Sequence, residues 1–420
     1  MSAQTQQASS GAAPGPSPAR GKTRESGDVA LYTLLSVMFI NMLGFGIVVP
    51  LLPFYGASFH AAPWQIALIF SAYSMGSFWG EPFWGRLSDR IGRKPILIST
   101  LAANCACYGL LAFAPNIYFA FIIRFFGGMA AGNGSVVQGY IADVSRPEDR
   151  AGRISKIGAA YNIGFILGPF VGGSLAKPSL GPIGFQIPLL AASGLAAAAE
   201  LGVFLLVKES RERKTRGPQP SRWRMFGYAV RHPVVGPLIL LTFTVGFAFS
   251  GIESIFPLWA HHRFDWQPRQ VGFVFGLSGL IASPTQFFLT GTLSKRFGEA
   301  RMLAVGMVGT ATALFLQPVI GDGGVITYTL MATMSLFSSI AFPNTGALIS
   351  RNIDADNQGQ VMGLNNAASA LARFVGPQGM ALAFSGISVN APYFVGAAIV
   401  APAIGLALAA GRGAGERRRD

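Results

Sequence analysis

The chain has 420 residues, of which 51% are hydrophobic and only 12% charged, and its formal net charge is +14. Soluble domains carry about a quarter charged residues, so this composition excludes an ordinary soluble protein and indicates a polytopic membrane protein. A basic balance can also indicate a nucleic-acid partner, but the positions of the basic residues argue against one. All but five of the 32 Lys and Arg fall in segments predicted to lie on one side of the membrane, which is the pattern of cytoplasmic loops.

Twelve stretches are long and apolar enough to cross a bilayer, which takes about 20 apolar residues per helix. In chain order they cover residues 29–53, 65–86, 94–115, 117–142, 154–176, 185–207, 234–260, 269–292, 299–320, 324–350, 358–384 and 390–411. The predicted fold is therefore an all-α membrane protein. Its twelve transmembrane helices form two pseudo-symmetric six-helix bundles, residues 29–207 and 234–411.

The segments outside these spans are polar. Residues 1–28 are rich in Ala, Ser, Pro, Gln and Gly and show no apolar core, so we expect a disordered cytoplasmic tail. Residues 208–233 are too charged to enter lipid and form the predicted cytoplasmic linker between the halves, and residues 412–420 form a second cytoplasmic tail. Both termini are therefore expected in the cytoplasm.

The two halves repeat each other in sequence. The segment GRLSDRIG, from Gly85 to Gly92, aligns with GTLSKRFG, from Gly291 to Gly298. A Gly-Pro pair also recurs, at Gly168-Pro169 and at Gly376-Pro377. Parallel repeats related by an axis along the membrane normal are typical of two-half transporters, in which the substrate lies between the halves near the midplane.

The first copy of this repeat lies in a short basic loop, GRLSDRIGRKP, in which four basic residues surround Asp89. This loop resembles the signature between helices 2 and 3 of the major facilitator superfamily, whose members move small solutes by alternating access. The resemblance covers most of residues 30–385. It implies that the loop latches the cytoplasmic ends of the two halves.

The resemblance implies a gate in which Asp89 caps the start of helix 11 near Gly359, where the helix dipole favours an acid. Arg93 would then bridge to Asp143 at the end of helix 4. The full set of gate residues comprises Gly85, Asp89, Arg90, Gly92, Arg93, Lys94 and Asp143. The alternative is a solvated charged turn that only orients the protein in the membrane.

Helix 5 contains the pattern GFILGPFVGG, which matches Gly-x-x-x-Gly-Pro-x-x-Gly-Gly throughout. Small residues at this spacing let helices pack backbone to backbone, and a proline inside a helix bends it. In the family this pattern marks proton-driven exporters. We therefore expect a hinge formed by Gly164, Gly168, Pro169, Gly172 and Gly173.

Three stretches resemble the twelve-helix drug:proton antiporters within the superfamily, and among them the tetracycline exporters. They are GFGIVVPLLP (Gly44–Pro53), HRFDW (His262–Trp266) and QFFLTGTLSKRFGE (Gln286–Glu299). One position departs from that group, because tetracycline exporters carry an aspartate in helix 1 where this chain has Asn41. Asparagine forms hydrogen bonds but does not titrate, so proton coupling through this residue is lost.

Other residues within the spans are candidates for proton coupling. Glu253 in helix 7 is the first choice, since that helix lines the cavity in the family, and it is expected to pair with Arg373 of helix 11; a purely structural ion pair is the alternative. Arg124 interrupts an apolar run, where a charge is costly, and matches the family's arginine on helix 4. Its alternative is snorkelling to the interface. Asp143 is the second candidate carrier, and Glu81 is assigned to the gate or to coupling.

The predicted cavity has few polar groups among many aromatic ones, which suits a lipophilic or amphipathic solute better than a sugar. The candidate substrate-binding residues are Asn41, Tyr161, Asn162, Phe247, Gln286, Asn344 and Asn365. No cluster has the spacing of a metal or nucleophile site, and no nucleotide-binding loop is present. The sequence thus predicts a transporter rather than an enzyme, without cofactor or metal.

The overall prediction is a proton-coupled antiporter that exports drug-like compounds or metabolites across a plasma membrane, such as the bacterial inner membrane. Its expected partners are the lipid bilayer and a small amphipathic substrate, without nucleic acid and as a monomer. An uncoupled facilitator or importer is the alternative that Asn41 favours. A non-transporting membrane sensor built on the same fold is the rival from another class.

Overall fold

The computed structural model of this chain describes residues 19–145, 147–210, 232, 234–353 and 355–416. Within that part, every regular element is a helix. Most of the predicted linker 208–233 and the ends of both predicted tails lie outside the described residues. The helix α1 begins at Ala19, but its apolar part begins at Leu31, close to the expected start at residue 29.

Twelve helical segments follow one another in the described residues. In chain order they are α1 (Ala19–Val48, continued by the 3₁₀ turn Val49–Leu51 and by Leu52–Ser58), α2 (Pro63–Ile91), α3 (Arg93–Ala112), α4 (Ile117–Ala130, continued by Ala131–Asn133 and Gly134–Val144), α5 (Pro147–Leu175), α6 (Pro178–Phe185 and Gln186–Leu206), α7 (Val235–Phe264), α8 (Pro268–Pro284, continued by Thr285–Thr290 and Gly291–Phe297), α9 (Glu299–Ile320), α10 (Val325–Arg351), α11 (Ala355–Gly386) and α12 (Ala391–Glu416). This confirms the predicted all-α fold.

Nine of these segments, α1 and α3 to α10, are long and apolar enough to cross a membrane by length and composition among the described residues. α12 contributes a shorter apolar stretch, Ala391–Ala407. α2 and α11 are long but more polar, and they pack against each other. Contact with protein rather than lipid explains why these two helices carry polar side chains at membrane depth.

Each half is a bundle of six helices. In the first half α1 packs on α5 and α6, α2 on α4, and α3 on α6; in the second half α7 packs on α11 and α12, and α9 on α10 and α12. Two helix pairs, α5–α8 and α2–α11, join the halves. The side of the membrane where α1 starts and α12 ends is called the terminus side below, and the opposite side is called the far side.

The α5–α8 contact is tight on the far side. A methyl group added at Gly272 of α8 would lie 2.3 Å from the Pro169 carbonyl oxygen, and one at Gly173 would lie 2.4 Å from that of Pro268. On the terminus side a methyl group at Gly158 of α5 or at Gly291 of α8 would meet no atom within 4 Å. The close backbone contacts between the two helices at Gly173 and Gly272 therefore lie on the far side.

The repeated loops before α3 and α9 share a backbone conformation. Gly92 has a φ of 111° and Gly298 a φ of 88°, both in the region that residues with a side chain avoid. Each glycine ends one helix and starts the next without a break in the chain path. The sequence repeat is therefore also a structural repeat at this turn.

Candidate functional site

Arg93 is the centre of a charged cluster on the terminus side. Its guanidinium contacts Asp89 (Nη2–Oδ1, 2.8 Å) and Asp143 (Nε–Oδ2, 3.2 Å). The Nη1 group also donates a hydrogen bond of 2.6 Å to Ser88 Oγ. Only 6% of Arg93 is exposed, so one buried cation joins the end of α2, the start of α3 and the end of α4.

The start of α3 is capped by a residue that the sequence did not indicate. Glu209, just after α6, accepts hydrogen bonds from the backbone N–H groups of Arg93 (2.8 Å) and Lys94 (3.1 Å). A side chain at Gly92 would lie 2.5 Å from Glu209 Oε2. The carboxylate satisfies two orphan amides and complements the helix dipole. With its φ of 111° and this close contact, position 92 favours glycine.

The remaining predicted gate residues lie around this cluster. Gly85 faces Ser135 of α4, Arg90 is exposed, and Lys94 Nζ donates to the Phe204 carbonyl oxygen (2.8 Å). No contact of the described residues tests the predicted capping of helix 11 by Asp89 near Gly359, so it stays a prediction.

The second half carries a counterpart of the cluster with the charges reversed. Glu299 at the start of α9 contacts Arg351 at the end of α10 (Oε1–Nη2, 2.9 Å). In the sequence repeat Lys295 stands where Asp89 stands, and Glu299 stands where Arg93 stands. Each half therefore joins its third helix to its fourth by an ion pair, with opposite polarity.

Arg124 is buried in the first half, with 3% of its surface exposed. Its guanidinium lies over the ring of Tyr73, 4.2 Å from the centroid, a cation–π contact that is strong when water is excluded. Its Nε atom has no hydrogen-bond partner in the described part of the chain. The side chain is buried within the bundle and does not extend to an interface, as the alternative interpretation of Arg124 required.

Asn41 belongs to a chain of three amides that links α1, α3 and α4. Its Nδ2 donates to Asn133 Oδ1 and its Oδ1 accepts from Asn104 Nδ2, each at 3.0 Å. Asn104 and Asn133 are buried, and Asn133 Nδ2 has no partner among the described groups. Where tetracycline exporters place a titratable acid, this chain places a neutral hydrogen-bond network.

Four polar side chains from both halves converge between the bundles. Glu253 of α7 and Arg373 of α11 lie within electrostatic range of each other, and both, with Glu81 of α2, lie within range of Tyr161 of α5. Tyr161 is 43% exposed although it lies mid-helix. This group is called the central cluster below.

The expected ion pair between Glu253 and Arg373 does not form. No oxygen of Glu253 lies within 4 Å of the guanidinium, and Arg373 Nη1 instead contacts Ser369 Oγ of its own helix at 3.4 Å. In the register of the two helices Gly246 contacts Ala372 and Gly251 contacts Gly376, so Glu253 lies further toward the far side than Arg373.

The hinge glycines of α5 contact two different helices. Methyl groups at Gly164, Gly168 or Gly172 would collide with the backbone of α1, whereas one at Gly173 would collide with α8 of the other half. The pattern therefore seats α5 against α1 within its bundle and against α8 across the boundary between halves.

The other predicted substrate-binding residues are scattered. Asn344 is buried and forms hydrogen bonds within the second half. Its Oδ1 accepts from Ser294 Oγ (2.8 Å), and its Nδ2 donates to the Ile340 carbonyl oxygen (2.7 Å). Asn365 accepts from Thr242 Oγ1, and Asn162 donates to its own helix.

Phe247 packs against the glycines of α11, and Gln286 is exposed in the π-helical turn Thr285–Thr290 of α8. Of the seven predicted substrate-binding residues, only Tyr161 belongs to the central cluster. Among the described residues, no group of His, Cys, Asp and Glu could hold a metal ion.

Comparison with known proteins identifies the family. The family model described as Major Facilitator Superfamily matches residues 34–377. The chain belongs to this superfamily. It is a membrane transporter rather than an enzyme, as the sequence predicted.

Several relatives of the chain are named for resistance to drugs. The chain is 28% identical over 357 residues to the class C tetracycline resistance protein of Escherichia coli, covering 83% of this chain and 88% of that protein. It is 26% identical over 383 residues to multidrug resistance protein 2 of Bacillus subtilis, covering 89% and 93%. Quinolone resistance protein NorA of Staphylococcus aureus is 27% identical over 383 residues, with 90% and 94% covered.

Solved structures share the fold. The human organic anion transporter MFSD10 superimposes with a TM-score of 0.67 at 22% identity, covering 91% of this chain and 99% of that one. The nucleoside transporter NupG gives a TM-score of 0.75 at 12% identity, with the same coverages of 91% and 99%. At these identities the likeness shows the major facilitator fold alone.

Proposed function

We propose that this transporter is a proton-coupled antiporter that exports lipophilic drug-like compounds or metabolites by alternating access. The observation that carries the proposal is the central cluster, where the buried carboxylate of Glu253 lies within electrostatic range of a cation and a phenol, with Glu81 as a second acid. An ionisable residue at membrane depth is costly to keep and marks a coupling or substrate pathway. Relatives named for resistance to tetracycline, quinolones and multiple drugs support the substrate class.

In this proposal Glu253 binds either a proton or the substrate, one after the other in the transport cycle. A proton that enters from outside neutralises the carboxylate and removes its attraction for a cationic or hydrogen-bonding solute. Loss of the proton to the cytoplasm restores the negative charge, and Arg373 stays close enough to stabilise it. Because only one of proton and substrate is held at a time, export of one requires entry of the other.

Tyr161 and Glu81 complete the space that the solute would enter. Tyr161 offers a ring for stacking and a hydroxyl for one hydrogen bond, which suits a solute with a large apolar body. Glu81 of α2 supplies a second acid, which is exposed and lies toward the terminus side. Arg124, buried behind Tyr73, adds positive potential that favours ionised acids in the cavity.

The gate lies on the terminus side. Rearrangement of the Asp89–Arg93–Asp143 cluster and of the Glu299–Arg351 pair would accompany opening and closing there. The tight α5–α8 contact through Gly272 and Gly173 closes the opposite side. Alternation between these two closures is the transport cycle that we propose.

By the distribution of basic residues, the terminus side is the cytoplasmic side of a plasma membrane, as in a bacterial inner membrane. The energy source in this proposal is the proton gradient, without a cofactor. Six helices per half enclose the central cluster within one chain, so the transport unit is a monomer.

The test uses inside-out vesicles with an acidified lumen and a pH-reporting dye. A panel of tetracyclines, fluoroquinolones, lipophilic cations and neutral amphiphiles is added to vesicles with the wild-type chain, with Glu253→Gln or with Glu200→Gln. Glu200 is the matched control, since it is an acid within α6 and away from the central cluster. The proposal predicts compound-dependent proton efflux in the wild type and Glu200→Gln and none in Glu253→Gln.

An uncoupled facilitator is the second candidate, and the amide chain of Asn41, Asn104 and Asn133 favours it. A neutral network in place of the helix 1 acid removes one proton site. This candidate predicts uptake of labelled compound that follows the compound gradient, is unaffected by the pH gradient and is the same in Glu253→Gln. Proton efflux that depends on Glu253 would exclude it.

A further inference from the structure

A groove of about 390 Å³ lies on the surface of the second half between α8 and α10. One wall consists of Phe273, Leu277 and Ile281 of α8, and the other of Val325, Tyr328 and Ala332 of α10. Phe273 and Val325 are strongly exposed at its far-side end. All its lining residues belong to the second half and none belongs to the central cluster, so the proposed transport cycle does not use it.

The walls of the groove present a mainly apolar surface, although they include Thr329 and Thr333. Thr329 Oγ1 donates to the Val325 carbonyl and Thr333 Oγ1 to that of Thr329, each at 2.7 Å. Each hydroxyl donor is thereby used within α10, as hydrocarbon surroundings require. Tyr328 stacks on Trp266 at the far-side end. The surface offered to an occupant is hydrocarbon and aromatic.

A positive charge stands at the far-side end of the α8 wall. Arg269 precedes Phe273, Leu277 and Ile281 at successive four-residue steps, so it lies on the same stripe of the helix. It is exposed in the first turn of α8 and has no hydrogen bond or ion pair with the described residues. A free guanidinium at a helix N-terminus is well suited to a phosphate group.

A negative charge stands at the corresponding end of the α10 wall. Asp322 lies three residues before Val325, and its Oδ1 accepts from the backbone N–H groups of Gly324 (2.8 Å) and Thr327 (3.3 Å). These bonds lower the pKa of the carboxyl, that from Gly324 most, so the group is ionised at neutral pH. Because it is exposed and a carboxylate has about four acceptor positions, it can accept another donor.

The length of the groove matches one leaflet of a bilayer. Arg269 and Ile281 are twelve residues apart, which is about 18 Å along a helix. A single leaflet contributes about 15 Å of hydrocarbon. The groove therefore covers about one leaflet, and Arg269 and Asp322 precede its far-side residues Phe273 and Val325 by four and three residues along α8 and α10.

We propose that this groove binds a phospholipid of the far-side leaflet whose headgroup carries a primary amine. Arg269 binds the phosphate, Asp322 accepts hydrogen bonds from the ammonium group, and one acyl chain lies between α8 and α10. A headgroup with a quaternary amine lacks N–H donors and satisfies only Arg269. A headgroup that carries only the negative phosphate can bind Arg269, but it has no positively charged group to place beside the Asp322 carboxylate.

Native mass spectrometry of the detergent-purified full chain tests this site with an equimolar mixture of phosphatidylethanolamine, phosphatidylcholine and phosphatidylglycerol. The wild type is expected to retain phosphatidylethanolamine roughly tenfold over phosphatidylcholine, the ratio that one charge-assisted hydrogen bond supplies. Asp322→Asn is expected to abolish this preference while lipid is still retained. Arg269→Gln is expected to reduce retention of all three lipids, and Ala332→Trp, which fills the groove, to remove the bound lipid.

Two matched controls are expected to behave as the wild type. Lys177→Gln removes another far-side cation, and Leu110→Trp adds an indole at a lipid-exposed position of α3. Equal retention of the three lipids by the wild type would overturn the proposal, as would an unchanged preference in Asp322→Asn. Displacement of the lipid by tetraphenylphosphonium would also overturn it, by assigning the groove to a lipophilic solute.

Discussion

Arg93 and Asp143 join the start of α3 to the end of α4 through a contact of 3.2 Å between Nε and Oδ2. In the second half Glu299 and Arg351 join α9 to α10 at the corresponding positions, with 2.9 Å between Oε1 and Nη2. The two pairs have opposite polarity and different burial, since Arg351 is largely exposed whereas Arg93 is buried. Their energetic roles should therefore differ.

Removal of the Arg93 charge should destabilise the protein far more than removal of the Glu299 charge. Arg93→Gln leaves two acids together without their cation and should cost about 3 kcal/mol, as for a broken buried pair. Glu299→Gln should cost less than about 1 kcal/mol, because solvent screens the exposed Arg351. Thermal unfolding in detergent measures both, with the exposed Arg90→Gln as the control; equal losses from Arg93→Gln and Glu299→Gln would contradict this assignment.

The Glu209 cap should stabilise the first turn of α3. Glu209→Gln keeps an acceptor but removes the negative charge at the helix N-terminus, whereas Glu209→Ala removes both. We expect Glu209→Ala to cost about 1 kcal/mol, the usual value of a lost N-cap, and Glu209→Gln to cost less. Hydrogen exchange at the amides of Arg93 and Lys94 reports the loss locally, and unchanged protection of both amides in Glu209→Ala would refute the cap.

Two glycines of α8 provide a matched pair for the contact between the halves. Gly272→Ala would push a methyl group toward the Pro169 carbonyl, 2.3 Å away, whereas Gly291→Ala would meet no atom within 4 Å. Gly272→Ala should therefore separate the halves on the far side and shift the protein toward far-side-open states. Distances between spin labels on α5 and α8 should lengthen in Gly272→Ala only, and no change there would mean that the contact is not tight in the membrane.

The amide chain at Asn41 should tolerate an acid better than an apolar group. In Asn41→Asp, Asn104 still donates to position 41, and Asn133 can turn its unpaired Nδ2 toward the new carboxylate. In Asn41→Leu, Asn104 and Asn133 each lose a partner, at about 1–3 kcal/mol for each buried group. The melting temperature should therefore fall much further for Asn41→Leu than for Asn41→Asp, and the reverse order would show that the amides do not form this network.

Hydropathy and charge were sufficient to predict the fold, because a bilayer imposes one length and one hydrogen-bonding solution on every span. The contact of Arg93 with Asp143 was anticipated through the resemblance to the superfamily, since Asp143 lies 50 residues from Arg93 in the chain. The Glu209 cap was not, because its two partners lie far from it in the chain. The same is true of the contacts of Asn41 with Asn104 and Asn133, which depend on how α1, α3 and α4 are packed.

The central cluster was predicted only in part. An ion pair between Glu253 of α7 and Arg373 of α11 was expected, but it is absent. The register and rotation of two packed helices decide whether their side chains meet, and sequence periodicity leaves both open. Arg124 shows the same limit, since its burial over Tyr73 depends on the packing of α2 against α4.

The most direct test of the coupling role of Glu253 is to count the protons released when a substrate binds. Purified protein in weakly buffered detergent solution is titrated with a compound that gives proton efflux in the vesicle assay, and binding and pH are recorded together. The account predicts about one proton released per compound bound in the wild type and in Glu200→Gln, and none in Glu253→Gln at retained binding. Equal proton release by Glu253→Gln would contradict the account and assign the coupling proton to another acid.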